Sequence, residues 1–441
     1  MKSGASILLI LCVAPILSVL ASAQEAQPSR YTVTDLGTLG GTFSWATGIN
    51  NKGWIVGFST LTGETCVPFP PPQGCDQHAF LWRDGVMTDL GTFGGPNSGV
   101  SFWGRRPNER GEVAGAAQTS TPDPAGEDYC AFINNFGSES PAPFQCLPFV
   151  WQDGVMTALP TLGGNGSAVQ INNRGVVAGQ VDVAPDPACT PQTPRPVPVV
   201  WEHGVLLELP VLAGTLYGGP NAVNDKGQAV GVLVSDCAAS VASAALWEHG
   251  SVTYLGSLGG KALDEGVAIN DEGQVVGFAS LPGDAVFHAF FWSKGTGMKD
   301  LGTLPGDVLS FAAGINGESQ IVGTSFDANG NPRAFLEQDG VMIDLNTLIP
   351  AGFPLSLLYA FDSNSRGEIV GQGFDPATQQ LHAYLARPCN DEHGNSERCA
   401  DPVQGAAATS PRRSVRVSGY ISKLLRQQRF GRFVAPAFLP H

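Results

Sequence analysis

The chain has 441 residues, 43% hydrophobic and only 14% charged, with 56 glycines and 33 prolines. That balance is too apolar for a disordered chain and too poor in charge for a coiled coil, and it suits many short strands joined by turns. The formal net charge is −15; Lys2 contributes +1 and residues 402–441 contribute +7, leaving −23 on residues 24–401, a surface that repels phosphates and excludes nucleic acid as a partner.

Residues 1–23 read as a cleaved export signal: Lys2 supplies the positive start, Ile7 to Leu20 the apolar stretch, and Ala21-Ser22-Ala23 the small-residue cleavage site. No later apolar run reaches about 18 residues, so no membrane span is expected, and the protein is expected to be secreted, in the periplasm or outside the cell. Residues 24–30 form a short leader. Eight cysteines follow the signal, at 66, 75, 130, 146, 189, 237, 389 and 399, an even number that reads as disulfides in an exported chain. A zinc site would need close spacings such as C-x-x-C, and none occurs. Neither a metal nor another cofactor is expected.

From residue 31 the chain repeats itself. An anchor of the form Asn…Gly runs from Asn50 to Gly57 and recurs from Asn108, Asn172, Asn224, Asn270, Asn316 and Asn364, seven times in all. The segment HAFLW at 78–82 recurs as LPFVW, VPVVW, SAALW, HAFFW, RAFLE and HAYLA, and the DLGTLGG segment of 35–41 also appears seven times, ending as DLNTLIP at 344–350. Asn-Asn-Lys-Gly at 50–53 suits a tight turn, because Asn bonds its own backbone two residues on and Gly accepts positive φ. Arg-Asp-Gly-Val at 83–86 is a two-residue hairpin signal. Each repeat therefore reads as strand, Asn turn, strand, variable loop, strand, Asp-Gly turn, strand.

Four strands that short cannot bury both faces alone. Radial stacking buries them, which is the β-propeller solution; a linear solenoid prefers shorter repeats and distinct caps. The chain opens with YTVTDLG, a fourth strand, and its seventh repeat stops at HAYLAR, a third strand, so the first segment supplies what the last repeat lacks. The expectation is an all-β, seven-bladed propeller over 31–387, closed by its N-terminal strand and monomeric.

The repeat resembles that of the HAF family of exported bacterial proteins, through His-Ala-Phe at 78–80 and 288–290 and the companion motifs above. The resemblance covers about 31–387 and implies exported repeat proteins without an established activity. Some members resemble proteins with C-terminal surface-sorting signals; here Pro-Glu-Pro, an apolar span and a closing Arg cluster do not follow in order, so sorting by that route is not expected.

The repeated residues are poor functional candidates. Trp82, Trp151, Trp201, Trp247 and Trp292 are explained by packing between repeats, and His78, His288 and His382 by a buried structural hydrogen bond rather than a ligand role. His203 and His249 look solvent-facing. Asp35, Asp89, Asp300 and Asp344 are expected to bond backbone. Gly-Thr-Leu-Gly-Gly lacks the helix that a phosphate cradle needs, because another strand follows. Asp327 to Asn331 resembles a calcium-loop fragment without its closing acid and reads as a plain loop.

Departures from the repeat are more informative. Five residues before each anchor stand Trp45, Trp103, Ser167, Gly219, Glu265, Phe311 and Tyr359, so the aromatics of repeats one, two, six and seven form one arc once a ring closes. Two residues before the anchor, Arg106 and Asp362 interrupt a pattern of small residues on the same arc, with Arg105 adjoining. Trp45, Trp103, Phe311, Tyr359, Arg105, Arg106, Asp362 and Glu265 are thus the candidate binding residues, placed at the mouth that carries the long loops. Aromatic faces with convergent polar groups suit sugar rings or an extended peptide; packing between repeats is the competing reading.

The expected pairs are Cys66–Cys75, Cys130–Cys146, Cys189–Cys237 and Cys389–Cys399, the last closing a loop at 388–401. The tail from 402 to 441 reads either as a basic amphipathic helix around Ile421, Leu424 and Leu425 that touches acidic partners or a membrane, or as a disordered end. Two functions follow: a non-catalytic scaffold binding an extracellular glycan or protein, or a polysaccharide lyase or hydrolase, which would need a paired acid and base. No catalytic set is evident.

Overall fold

The computed structural model describes residues 30–63, 76–101, 106–123, 129, 144–183, 195–237 and 240–389. The signal, most of the leader, the tail, Trp103, Arg105 and Cys66, Cys75, Cys130, Cys189 and Cys399 lie outside them. The described chain is all-β apart from one 3-10 turn at Leu345–Thr347. Its strands form five four-stranded antiparallel sheets and one of eight strands, in which a parallel pair, Phe43 with Leu381, joins the first and last units, an architecture consistent with a β-propeller. The first unit comprises Gly40–Ile49, Ile55–Leu61, Gln77–Arg83 and Val86–Asp89, and the pattern recurs through Val341–Asp344. The last three strands, Ser356–Ser363, Ile369–Asp375 and Gln380–Pro388, gain a fourth from the start of the chain: Tyr31–Asp35 lies antiparallel to the third, from Tyr31 opposite Pro388 to Asp35 opposite Tyr384.

The anchor asparagines show why the sequence repeats. Asn50 accepts the backbone N–H groups of Lys52 and Trp54 at 3.0 Å each on its side-chain oxygen, which fixes the turn. Its side-chain amide donates to the carbonyl of Asn108 in the next repeat at 3.0 Å. The same donation runs from Asn108 to Asn172, Asn224, Asn270, Asn316 and Asn364, and Asn364 donates to the carbonyl of Asn50. One residue outward lies a second tier. The N–H groups of Asn51, Glu109, Asn173 and Asp225 donate to the side chains of Glu109, Asn173, Asp225 and Asp271, each in the following repeat. In the sixth repeat this place holds Gly317, which offers no acceptor.

The closing glycine of the anchor is required by close approach. A Cβ on Gly57 would lie 1.9 Å from the carbonyl oxygen of Trp45 and 2.7 Å from the Phe80 ring. Gly277, Gly323 and Gly371 meet the corresponding carbonyls of Glu265, Phe311 and Tyr359 at 1.9, 2.1 and 1.9 Å. The hairpin at Asp84-Gly85 has φ of 53° and 87°, the doubly positive geometry that Asp-Gly favours. His203 and His249 take the first of these positions at φ 52° and 51° and are exposed.

Between sheets the tryptophans are buried, and Trp201 and Trp247 donate their indole N–H to the carbonyls of Pro160 and Pro210. The histidine of HAF pairs with the aspartate of DLG on the neighbouring strand: His78 with Asp89, His288 with Asp300, His382 with Asp35. Arg333 replaces the histidine and pairs with Asp344 at 3.1 Å. Where the first position is Leu147, Val197 or Ser243, the second is Ala158, Glu208 or Tyr254. These aspartates bond the repeat's own side chain as well as backbone, Asp89 also accepting the Gly91 N–H at 2.7 Å. Burial opposes ionisation of Asp35 and Asp89, but the histidine and the backbone N–H outweigh it and hold both below the usual carboxylate range.

Candidate functional site

In six of the repeats the described first strand runs from the long-loop side to the Asn turn, and a β-bulge interrupts it. In the first repeat the register shifts between Ala46 and Gly48, and equivalent shifts occur at Ala168/Gln170, Pro220/Ala222, Gly266/Ala268, Ala312/Gly314 and Ala360/Asp362. The extra residue re-aims the side chains on either side of it. Residues five and two before the anchor consequently serve different ends of the strand.

Toward the long-loop end the aromatics fuse into a core. Trp45 lies 5.3 Å from Tyr359 and 5.1 Å from Phe361, and a chain of rings continues through Phe326 and Phe311 to Phe278. Trp45, Phe311 and Tyr359 are no more than 4% exposed, in one apolar cluster with residues of the fourth to seventh repeats. The three described members of the arc, Trp45, Phe311 and Tyr359, have their rings packed on neighbouring rings of one core. A role for these three in stacking on a sugar is corrected accordingly: buried ring faces have no surface to offer a ligand. Glu265 is also buried, its carboxylate accepting the Asn221 side-chain amide at 2.8 Å. Tyr359 Oη has no partner among the described residues, and burial pushes its hydroxyl well above the usual range.

Toward the Asn-turn end the structure unites Arg106 and Asp362, 256 residues apart in sequence. Arg106 Nη2 lies 2.5 Å from Asp362 Oδ1 and also reaches the carbonyl of Ile315 at 3.4 Å. Asp362 is fully buried and accepts the Ile49 N–H at 3.0 Å on its other oxygen. Arg106 from the second repeat thus touches the sixth and seventh, and Asp362 the first. The small residue Gly314 makes room, since a Cβ there would lie 2.8 Å from the Asp362 backbone. Burial pushes the Asp362 carboxyl up to about 6, against the pull of Arg106 and the Ile49 N–H.

Arg106, 30% exposed, also lines a cavity of about 160 Å³ among the Asn turns. Gln170, Ile171 and Val223 share its walls, and Glu109, Asp225, Asp271 and Glu272 are further lining residues. The sequence-based placement of Arg106 and Asp362 at the long-loop mouth is therefore corrected: the pair belongs to the Asn-turn mouth. The carboxylate tier was not singled out from sequence, although its signal is there in the Asn, Asp or Glu that follows five of the seven anchors.

A second buried carboxyl was also missed. Asp264, at the start of its strand, accepts the Tyr254 hydroxyl at 2.9 Å, and burial pushes it up to about 7. In other repeats the comparable place holds Ser44, Ser98 or Ser310, each bridging a backbone N–H and a carbonyl of the preceding sheet.

No known protein family matches the chain, and no curated protein does. Among solved structures it is similar to the β-propeller domain of the Trilobed protease from Pyrococcus furiosus, at 9% identity and TM-score 0.46, over 82% of this chain and 100% of that one. It is also similar to the acylaminoacyl peptidase of Pyrococcus horikoshii, at 11% identity and TM-score 0.47, over 83% of this chain but 55% of that one. TolB from Acinetobacter baumannii matches at 10% identity and TM-score 0.35, over 76% and 80% of the two chains. Likeness at this level concerns fold alone.

Proposed function

We propose that the chain is an exported seven-bladed propeller of the HAF type that binds an extracellular glycan or protein without catalysis, at the Asn-turn mouth. Seven blades closed into a ring are supported by the asparagine series that returns from Asn364 to Asn50 and by the pairing of Tyr31–Asp35 with the last strand. The disulfide-bonded state of Cys146, Cys237 and Cys389 supports an oxidising compartment. The observation that carries the binding reading is the polar cavity around Arg106, beside a rim of carboxylates, in a molecule where Trp45, Phe311 and Tyr359 are buried.

A non-catalytic role is supported by how the candidate acids are used. Asp362 is engaged by Arg106 and the Ile49 N–H, and Glu265 by Asn221, so neither is offered as an acid–base partner at the cavity. The test is calorimetric titration of the secreted protein with bacterial and plant polysaccharides and with extracellular protein fractions. Binding that weakens at least about tenfold in Arg106→Gln supports the reading, since a charge-assisted hydrogen bond contributes about that much. Binding that ignores Arg106, or release of shortened glycan products, defeats it.

A further inference from the structure

The two linkers that flank the sixth repeat depart from the common DLGTLGG: residues 300–306 read DLGTLPG and residues 344–350 read DLNTLIP. Residues of both line a cleft of about 820 Å³. Asp307, which begins the strand Asp307–Ile315, also lines it, so the cleft lies at the long-loop end of the sheets, away from the Asn turns. Leu304, Pro305, Met342, Ile343, Leu357 and Leu358 give it an apolar wall. That volume and that lining are on the scale of a site for a small organic ligand.

The polar part of the lining is held in place by its own bonds. Arg333, which stands where other repeats carry the histidine of HAF, pairs with Asp307 at 2.8 Å and with Asp344 at 3.1 Å, and donates to the carbonyl of Pro305 at 3.2 Å. Asp327 accepts the N–H groups of Asn329 and Asn331 at 2.8 and 2.9 Å. Burial opposes ionisation of Asp327, but these bonds outweigh it and hold its carboxyl below the usual range. Three carboxylates thus share the lining with one guanidinium, its only basic side chain, and negative charge is in excess. Arg30 lines an adjoining cavity of about 390 Å³ that shares Asn346, Thr347 and Ser356; counted with the rest, it leaves the balance negative.

We propose that this cleft binds a small organic cation, an ammonium or amidinium group on an apolar body, with the charge toward the carboxylates and the body against the apolar wall. The site is separate from the Arg106 mouth and does not depend on what binds there.

Benzamidine, benzamide and benzoate share a ring and differ in charge, so calorimetric titration of the full chain at low salt tests the reading. Benzamidine should bind with a dissociation constant on the order of 1 mM or tighter, benzamide at least about tenfold more weakly, and benzoate not measurably. Thr347 is exposed on the cleft, and Thr347→Lys adds an ammonium beside the carboxylates. Asp344→Asn removes a charge and keeps an acceptor for the Asn346 N–H. Each should weaken benzamidine about tenfold while the unfolding temperature stays within a few degrees, and Arg106→Gln should leave its binding unchanged. Thr347→Lys, a surface change, decides the matter where Asp344→Asn fails to fold. Benzamide or benzoate binding as tightly as benzamidine overturns the proposal. So do benzamidine binding that Thr347→Lys leaves intact, binding lost in Arg106→Gln, and no binding at about 10 mM.

Discussion

Replacing Asp362 tests the link between the mouth and the fold. Asp362→Ala removes the acceptor of the buried Ile49 N–H and the partner of Arg106. An orphaned buried donor costs about 1–3 kcal/mol. Arg106 is 30% exposed toward the cavity and regains water, so its loss adds no more than about 1 kcal/mol, far below the penalty of a fully buried widow. The expected destabilisation is about 1–4 kcal/mol at pH 7. Asp362→Asn keeps an acceptor for Ile49 and should differ from the parent in its pH dependence. Burial raises the folded-state carboxyl from the usual 3.8 to about 6, so the folded protein holds a proton there that the unfolded chain releases. The associated stability is fully present below pH 4 and is lost as pH rises through 6; the interval corresponds to roughly 3 kcal/mol. Urea unfolding of parent and Asp362→Asn between pH 4 and 7.5 should therefore show a difference that moves in favour of the variant by that order. Parallel curves would refute the assigned burial, and an Asp362→Ala protein as stable as Asp362→Asn would refute the role of the Ile49 bond.

The paired aspartates behave with the opposite sign. Asp89→Ala should cost about 1 kcal/mol at pH 7, a value reduced for its exposure, and the cost should shrink as pH falls below the usual carboxylate range and through the lowered folded-state pKa; chemical unfolding at pH 7 and at successively more acidic pH checks both. Gly57→Ala should lose at least about 3 kcal/mol or fail to fold, because its Cβ would meet a carbonyl at 1.9 Å; a soluble variant melting within a few degrees of the parent would contradict the close approach. Gly317→Asp should gain about 0.5–1 kcal/mol by accepting the Asp271 N–H, since nothing lies within 4 Å of its Cβ; an unchanged melting temperature would show that the second tier adds nothing.

The strand order, the turns and the meeting of the chain's two ends were legible in sequence, because each follows from recurrent local chemistry: Asn with Gly at one turn of six repeats, Asp with Gly at the other turn of three, and a missing fourth strand at the end. The departures of Arg106 and Asp362 from a row of small residues were legible too. Their pairing was not, because it joins residues 256 apart and depends on Gly314 leaving space between them. The end of the molecule that Asp362 serves was decided by the bulge at Ala360/Asp362, an insertion without a residue signature, which separates the positions five and two before the anchor. The same geometry turned the aromatic arc inward. Sequence placed Trp45, Phe311 and Tyr359 in neighbouring repeats, but only packing determined that their rings meet each other and leave the polar mouth to Arg106 and the carboxylates.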